Sequence, residues 1–115
     1  MKSIKLLAKE VKDNMSNPRE LGKILMYLSS MYAWYSEQLR PIKVQKAEAW
    51  LKIKKSSMAS NGKLLSDRMT EMEWRTTPAG QLEQDLKYKL DGLSKLSEAI
   101  KQAGFLINIE IKNQA

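Results

Sequence analysis

The sequence predicts a mainly all-α fold: a small helical protein with long amphipathic helices that forms oligomers. The chain has 115 residues, which suits about one domain, and 43% of them are hydrophobic, enough for a packed core. It contains only 5 glycines and 3 prolines. Its apolar residues mostly recur at the three- and four-residue spacing of a helix. We expect one helical domain over residues 1–115, with a short helix in 1–16 and the helical core in 17–104.

Two helix starts near the N-terminus are marked by capping residues. Ser3 precedes an amphipathic segment that reaches residue 15. Asn17 is a predicted N-cap, with Pro18 at the first helical position. The second helix should run to about Arg40. Its aromatic residues have helical spacing, which favours packing in the core over stacking on nucleobases; they are Tyr27, Tyr32, Trp34 and Tyr35.

Pro41 is expected to end or kink that helix. A basic helix should follow to about residue 58, and then a loop, "SSMASNGK". Ser66 can cap a short helix, "DRMTEMEW", and Thr77 with Pro78 marks the start of the last long helix.

The last helix carries a leucine-rich stripe close to a coiled-coil seam, and Gly104 is its predicted stop. Residues 105–115 are the predicted C-terminal strand or tail, because Phe105, Ile107, Ile109 and Ile111 in "FLINIEIK" recur at the two-residue period of a strand. A lone strand would have to pair with a copy of itself on another subunit. The alternative is an apolar tail over the core. The residues predicted to hold subunits together are Leu86, Leu90, Leu93, Ile100, Phe105, Ile107 and Ile109.

The composition argues against an enzyme. Cysteine and histidine are both absent, which excludes disulfides, the usual zinc sites and histidine-dependent triads. No phosphate-binding glycine loop or acid–base pair stands out, so we expect no cofactor, no metal and no catalysis. Glu71 and Glu73 diverge by about 200° on a helix and are interpreted as surface charges.

The N-terminus has too many early charges for a signal peptide. The uncharged segment "ILMYLSSMYAWYS" is shorter than the ~20 residues of a membrane span. These features predict a cytoplasmic protein.

The charge is concentrated in one half of the chain. The net charge of the whole chain is +7. Residues 1–65 hold 13 basic and 5 acidic groups, whereas residues 66–115 hold 7 basic and 8 acidic groups. Such a basic segment favours phosphates or other acidic surfaces as partners.

The segment "KVQKAEAWLKIKK" concentrates this charge around a tryptophan. At about 100° per residue, Lys43, Lys46, Trp50 and Lys54 form one stripe between two apolar strips. We call these four residues the basic–aromatic stripe and expect it to face outward. Lysines that follow phosphates beside an aromatic ring are typical of single-strand binding without sequence readout. The competing interpretation is a solvated lysine face with a tryptophan at the edge of the core.

Three stretches resemble the UvsY-type recombination mediators of tailed phages. They are "VQKAEAWLKIKK", "SDRMTEME" and "LDGLSKLSEAIKQAGFLI", and the similarity covers most of residues 21–109. The resemblance implies a helical, non-enzymatic protein that forms rings, binds single-stranded DNA and helps a phage recombinase replace single-strand-binding protein. It also implies that Lys52 and Lys54 contact DNA. Lysine stands at position 54 where the family has arginine, Lys55 replaces an apolar residue, and the N-terminal helix matches poorly.

The first hypothesis is therefore a single-stranded DNA-binding mediator in phage DNA recombination and repair, active in the host cytoplasm. Its predicted DNA-binding residues are Lys43, Lys46, Trp50, Lys52, Lys54 and Lys55. The second hypothesis is a structural or assembly oligomer whose partner is another protein. A peripheral membrane protein fits less well, because the basic helix lacks one broad apolar face.

Overall fold

The chain is all-α, as predicted. The computed structural model describes the backbone of residues 1–114 and the side chains of these residues except 59 and 105–114. There are four helices of ten or more residues and one short helix: α1 Ile4–Asp13, α2 Pro18–Lys54, α3 Met58–Asn61, α4 Asp67–Thr76 and α5 Pro78–Gln114. No strand occurs within residues 1–114. No helix in that range is both long and apolar enough to span a membrane.

All four predicted helix starts are confirmed by capping hydrogen bonds. In each case a side-chain oxygen accepts a hydrogen bond from the backbone N–H three residues later, which satisfies one of the free donors of the first turn. The caps are Ser3 for α1 at 3.1 Å, Asn17 for α2 at 3.3 Å, Ser66 for α4 at 3.2 Å and Thr77 for α5 at 3.0 Å.

Pro41 does not end the second helix, because α2 continues through it to Lys54. A proline inside a helix removes one backbone hydrogen bond and strains the preceding turn. Here Leu39 and Ile42 on either side of it are both buried. Burial of these two side chains contributes about 1.5–3 kcal/mol each and offsets the loss.

Gly104 likewise lies inside a helix and does not stop it. Residues 105–114 continue α5, so the predicted strand is wrong. A helix satisfies its own backbone groups, whereas a single strand would leave them unpaired. One glycine inside a helix costs only about 1 kcal/mol relative to alanine. The side chains of Phe105, Ile107 and Ile109 lie outside the described residues.

The chain forms two compact units. Unit one comprises Met1–Tyr35 and Lys89–Ala115. It contains α1, the first part of α2 and the second part of α5. Its core consists of Leu7, Val11, Leu21, Ile24, Leu28, Met31, Leu93, Ile100 and Ala103.

The aromatic residues of α2 in unit one have two different environments. Tyr27 and Tyr35 pack against the core, as expected from their spacing. Tyr32 and Trp34 are instead exposed. The prediction of core packing was therefore correct for only two of the four residues, because the buried face of α2 is narrower than the apolar stripe in its sequence.

Unit two comprises Ser36–Tyr88. It contains the second part of α2, α3, α4 and the start of α5. Its buried apolar residues are Leu39, Ile42, Trp74 and Leu86, and it also buries two polar residues, Thr70 and Glu83. The apolar core of unit two is therefore small, and polar contacts make a larger contribution to holding its helices together.

Gly80 allows α4 and α5 to approach closely, and this generates a prediction. A Cβ atom at Gly80 would overlap the backbone carbonyl of Trp74. We expect Gly80→Ala to lower the free energy of unfolding by about 2–3 kcal/mol, because the clash involves backbone atoms that cannot rotate away. Urea denaturation measures the change.

Gly22 provides the matched control, since a Cβ there meets nothing within 4 Å. Gly22→Ala should raise stability by about 0.5–1 kcal/mol. Equal effects of the two substitutions would contradict the close approach of α4 to α5.

Candidate nucleic-acid interface

The predicted DNA-binding residues lie on the C-terminal part of α2, but they do not share one environment. Lys43, Lys52 and Lys55 are exposed. Lys46, Trp50 and Lys54 are half-buried and lie on the side of α2 that packs within unit two. The basic–aromatic stripe was predicted to face outward, and this was wrong for most of its length.

Lys46 is held by two carboxylates from two different helices. Its Nζ lies 2.8 Å from Glu71 Oε2 on α4 and 3.3 Å from Glu83 Oε1 on α5. Only 22% of the Lys46 side chain is exposed. Two nearby anions compensate for the loss of hydration, so the positive charge of Lys46 is neutralised within unit two.

Glu83 is the centre of this group because its carboxylate has several partners. Only 3% of its side chain is exposed. Its Oε1 also accepts a hydrogen bond from Trp74 Nε1 at 3.3 Å, and the exposed Lys87 lies 3.6 Å away. A buried carboxylate is stable only when it is paired and hydrogen-bonded. Lys46, Trp74 and Lys87 meet that requirement.

The interactions shift the pKa of both Lys46 and Glu71. Burial alone lowers the pKa of Lys46, but hydrogen bonds and charge from Glu71 and Glu83 outweigh it, so the pKa is raised. The hydrogen bond from Lys46 lowers the pKa of Glu71, and burial opposes this only in part. Glu71 also accepts a hydrogen bond from Arg75 Nε at 3.3 Å. Its interpretation as a surface charge was therefore wrong.

Lys54 is paired with a second residue of α4. Its ammonium group donates to the carboxylate of Asp67, and its side chain is 23% exposed. The backbone carbonyl of Lys54 also accepts a hydrogen bond from Leu65 N–H at 2.9 Å. These contacts connect the end of α2 to the start of α4. The positive charge of Lys54 is thus partly compensated within the chain.

The exposed surface of α2 carries the cations that remain. Lys43, Lys52 and Lys55 form no ion pair with any side chain that the structure describes. Val44 is 53% and Leu51 is 55% exposed on the same helix. We call these five residues the outer face of α2. One of the two predicted apolar strips therefore faces solvent.

A shallow groove of about 340 Å³ lies beside the stripe. It combines cations, an indole ring and a carboxylate. The Lys46 ammonium group lies 5.7 Å from the centre of the Trp50 ring, within range of a cation–π interaction. The lining residues are Lys43, Lys46, Ala47, Trp50, Glu83 and Lys87.

The predicted subunit contacts are mostly used within the single chain. Leu86, Leu93 and Ile100 are each at most 4% exposed and Leu90 is half-buried. Side chains already packed in a core are not accessible to a second subunit in this conformation. Phe105, Ile107 and Ile109 lie outside the described side chains, and their role in oligomerisation stays a prediction.

Sequence reasoning missed Glu83, Trp74 and Lys87. The pattern of α5 contained a signal, because Glu83 lies three residues before Leu86 on the stripe that continues through Leu90. The neighbouring Leu82 is 49% exposed, whereas Glu83 is 2% exposed. A charged residue at a seam position indicates a buried ion pair.

No known protein family, curated protein or solved structure matches this chain. The site must therefore be interpreted from its own chemistry.

The ion pair at Lys46 generates a stability prediction. Lys46→Ala would leave the buried Glu83 carboxylate without its closest cation, so we expect a loss of about 3 kcal/mol in unfolding free energy. Lys43→Ala removes an exposed lysine from the same helix and should change stability by less than about 0.5 kcal/mol. Urea denaturation of the two variants tests this, and similar losses would rule out a special role for Lys46.

Glu71 generates a prediction about pH. Since its pKa is lowered on folding, its contribution to stability is present at neutral pH and is lost as pH falls through its folded-state pKa. We expect Glu71→Gln to make stability less dependent on pH in the acid range. Thermal unfolding at a series of acidic pH values measures this. The exposed neighbour Glu73, changed to Gln, is the control and should leave the dependence closer to that of the wild type.

Proposed function

We propose that this protein binds single-stranded DNA without catalysing a reaction. The observation that carries the proposal is the outer face of α2, where Lys43, Lys52 and Lys55 are exposed and form no ion pair among the described residues. Cations that are not neutralised within the protein can replace the counterions of a phosphate backbone. Lys46 and Lys54, which are paired with carboxylates, contribute less to this interaction.

The proposed role is that of a recombination mediator. The resemblance of three sequence stretches to the UvsY-type phage proteins supports it, and one of these stretches contains Lys52 and Lys54. In this role the protein would help a phage recombinase replace single-strand-binding protein on DNA in the host cytoplasm. Assembly into a homo-oligomeric ring would strengthen binding, because several weak sites on one particle act at a high effective concentration.

A second candidate function is assembly with another protein, and a specific observation favours it. Val44 and Leu51 are more than half exposed on the outer face of α2, and Met69 and Met72 are exposed on α4. Exposed apolar side chains of this kind are typical of protein interfaces. The two functions differ in their response to salt, because phosphate binding weakens steeply with salt and an apolar interface does not.

The proposal predicts a steep dependence of DNA binding on salt. We expect the triple variant Lys43→Ala, Lys52→Ala, Lys55→Ala to bind single-stranded DNA more weakly. The slope of log affinity against log salt should decrease by about 2, since each phosphate contact on a single strand contributes about 0.7. Fluorescence anisotropy of labelled single-stranded and duplex oligonucleotides at several salt concentrations measures both effects.

The control removes the same number of exposed lysines from α1: Lys5→Ala, Lys9→Ala and Lys12→Ala. It makes the same change in net charge and should reduce the slope much less. Equal reductions in the two triple variants would show that the site is wrongly assigned. Weak, equal binding of the wild type to single strand and duplex would favour the assembly function.

A further inference from the structure

The groove beside Trp50 has the chemistry of a nucleobase site. All of its lining residues belong to unit two. Trp50 is half-buried, so part of its indole ring lines the groove and is fixed by the surrounding structure. An ordered aromatic ring next to lysines is the usual platform on which single-stranded bases stack.

Glu83 adds a feature that phosphate binding does not require. Its side chain is 3% exposed, yet it lines the groove. The hydrogen bonds from Lys46 and Trp74 both go to Oε1, which leaves Oε2 as an acceptor. A carboxylate repels phosphate, so a DNA backbone would not lie directly against this part of the wall. An acceptor of this kind suits an N–H group of a base.

We infer that this groove binds a guanine base of single-stranded nucleic acid, with the ring stacked on Trp50 and its Watson–Crick N–H donors directed at Glu83. The inference rests on the proposed function and adds a base preference to it. Guanine is the base whose Watson–Crick edge places an imino N–H directly beside an amino group. Thymine presents one imino N–H between two carbonyl oxygens, and a carboxylate repels those oxygens.

The cations around the groove suit the remainder of a nucleotide. Lys43 and Lys87 are both exposed and line the groove on α2 and α5. They are able to contact the phosphates on either side of the bound base. Lys46 stays paired with Glu83 Oε1 on the inner side of the groove.

The decisive experiment uses the wild-type protein and two matched probes. One is a labelled thymidine oligonucleotide with isolated guanines, and the other has hypoxanthine at the same positions. Hypoxanthine lacks only the amino group of guanine. We expect the guanine probe to bind about tenfold more tightly, the effect of one hydrogen bond to a charged acceptor. Equal affinities would overturn the inference.

Two variants identify the groove as the source of the preference. Trp50→Leu and Glu83→Gln should each reduce the ratio of the two affinities towards one. Lys52→Ala, which changes the outer face of α2 outside the groove, should weaken binding of both probes and leave their ratio unchanged. Because Glu83→Gln removes a buried charge, its folding is checked by circular dichroism. If Trp50→Leu kept the full preference, guanine would be recognised elsewhere and the inference would be wrong.

Failure of the inference is distinguishable from failure of the proposed function. Equal, tight and salt-dependent binding of the two probes would remove the guanine site and leave single-strand binding in place. Absence of salt-dependent binding to either probe would overturn both.

Discussion

The buried carboxylate of Glu83 is the constraint on which unit two depends. A carboxylate that is only 2% exposed requires both a cation and hydrogen-bond donors at short range. Lys46 from α2 provides the cation, and Trp74 from α4 donates from its indole nitrogen. A single side chain of α5 thereby determines how two other helices pack around it. The few buried apolar residues of unit two would specify that arrangement less strictly, since apolar contacts are not directional.

The same constraint divides the lysines of α2 into two groups. Those that point towards α4 and α5 are paired with Glu71, Glu83 or Asp67, and their charge stabilises the fold. Those on the outer face of α2 remain available to an external anion. The net charge of the segment therefore overstates its capacity to bind phosphate. The groove lies at the boundary between the two groups, where Lys43 and Trp50 meet the buried carboxylate.

Polar anchoring and surface binding are compatible in this small protein. Lys46 lies near the ring of Trp50 and is itself paired with Glu83. A half-buried ring would lose little conformational entropy if a base stacked on it as proposed. The exposed Val44 and Leu51 offer a separate, apolar surface on the same helix. A protein that binds a nucleic acid and also assembles with protein partners could use these two surfaces at once.

The sequence by itself determined the helical class, the four capped helix starts and the core packing of Tyr27 and Tyr35. These features depend on local chemistry: a capping side chain acts within three residues, and apolar periodicity reports the buried face of a helix. Only the tertiary structure decided that α2 continues through Pro41, that α5 continues through Gly104 and that Lys46, Trp50 and Lys54 are half-buried. Lys46 is paired with Glu71 and Glu83, and Lys54 is paired with Asp67. Each carboxylate lies at least 13 residues from its lysine along the chain. No local pattern in α2 specifies those partners, because ion pairing between helices depends on how the chain brings them together.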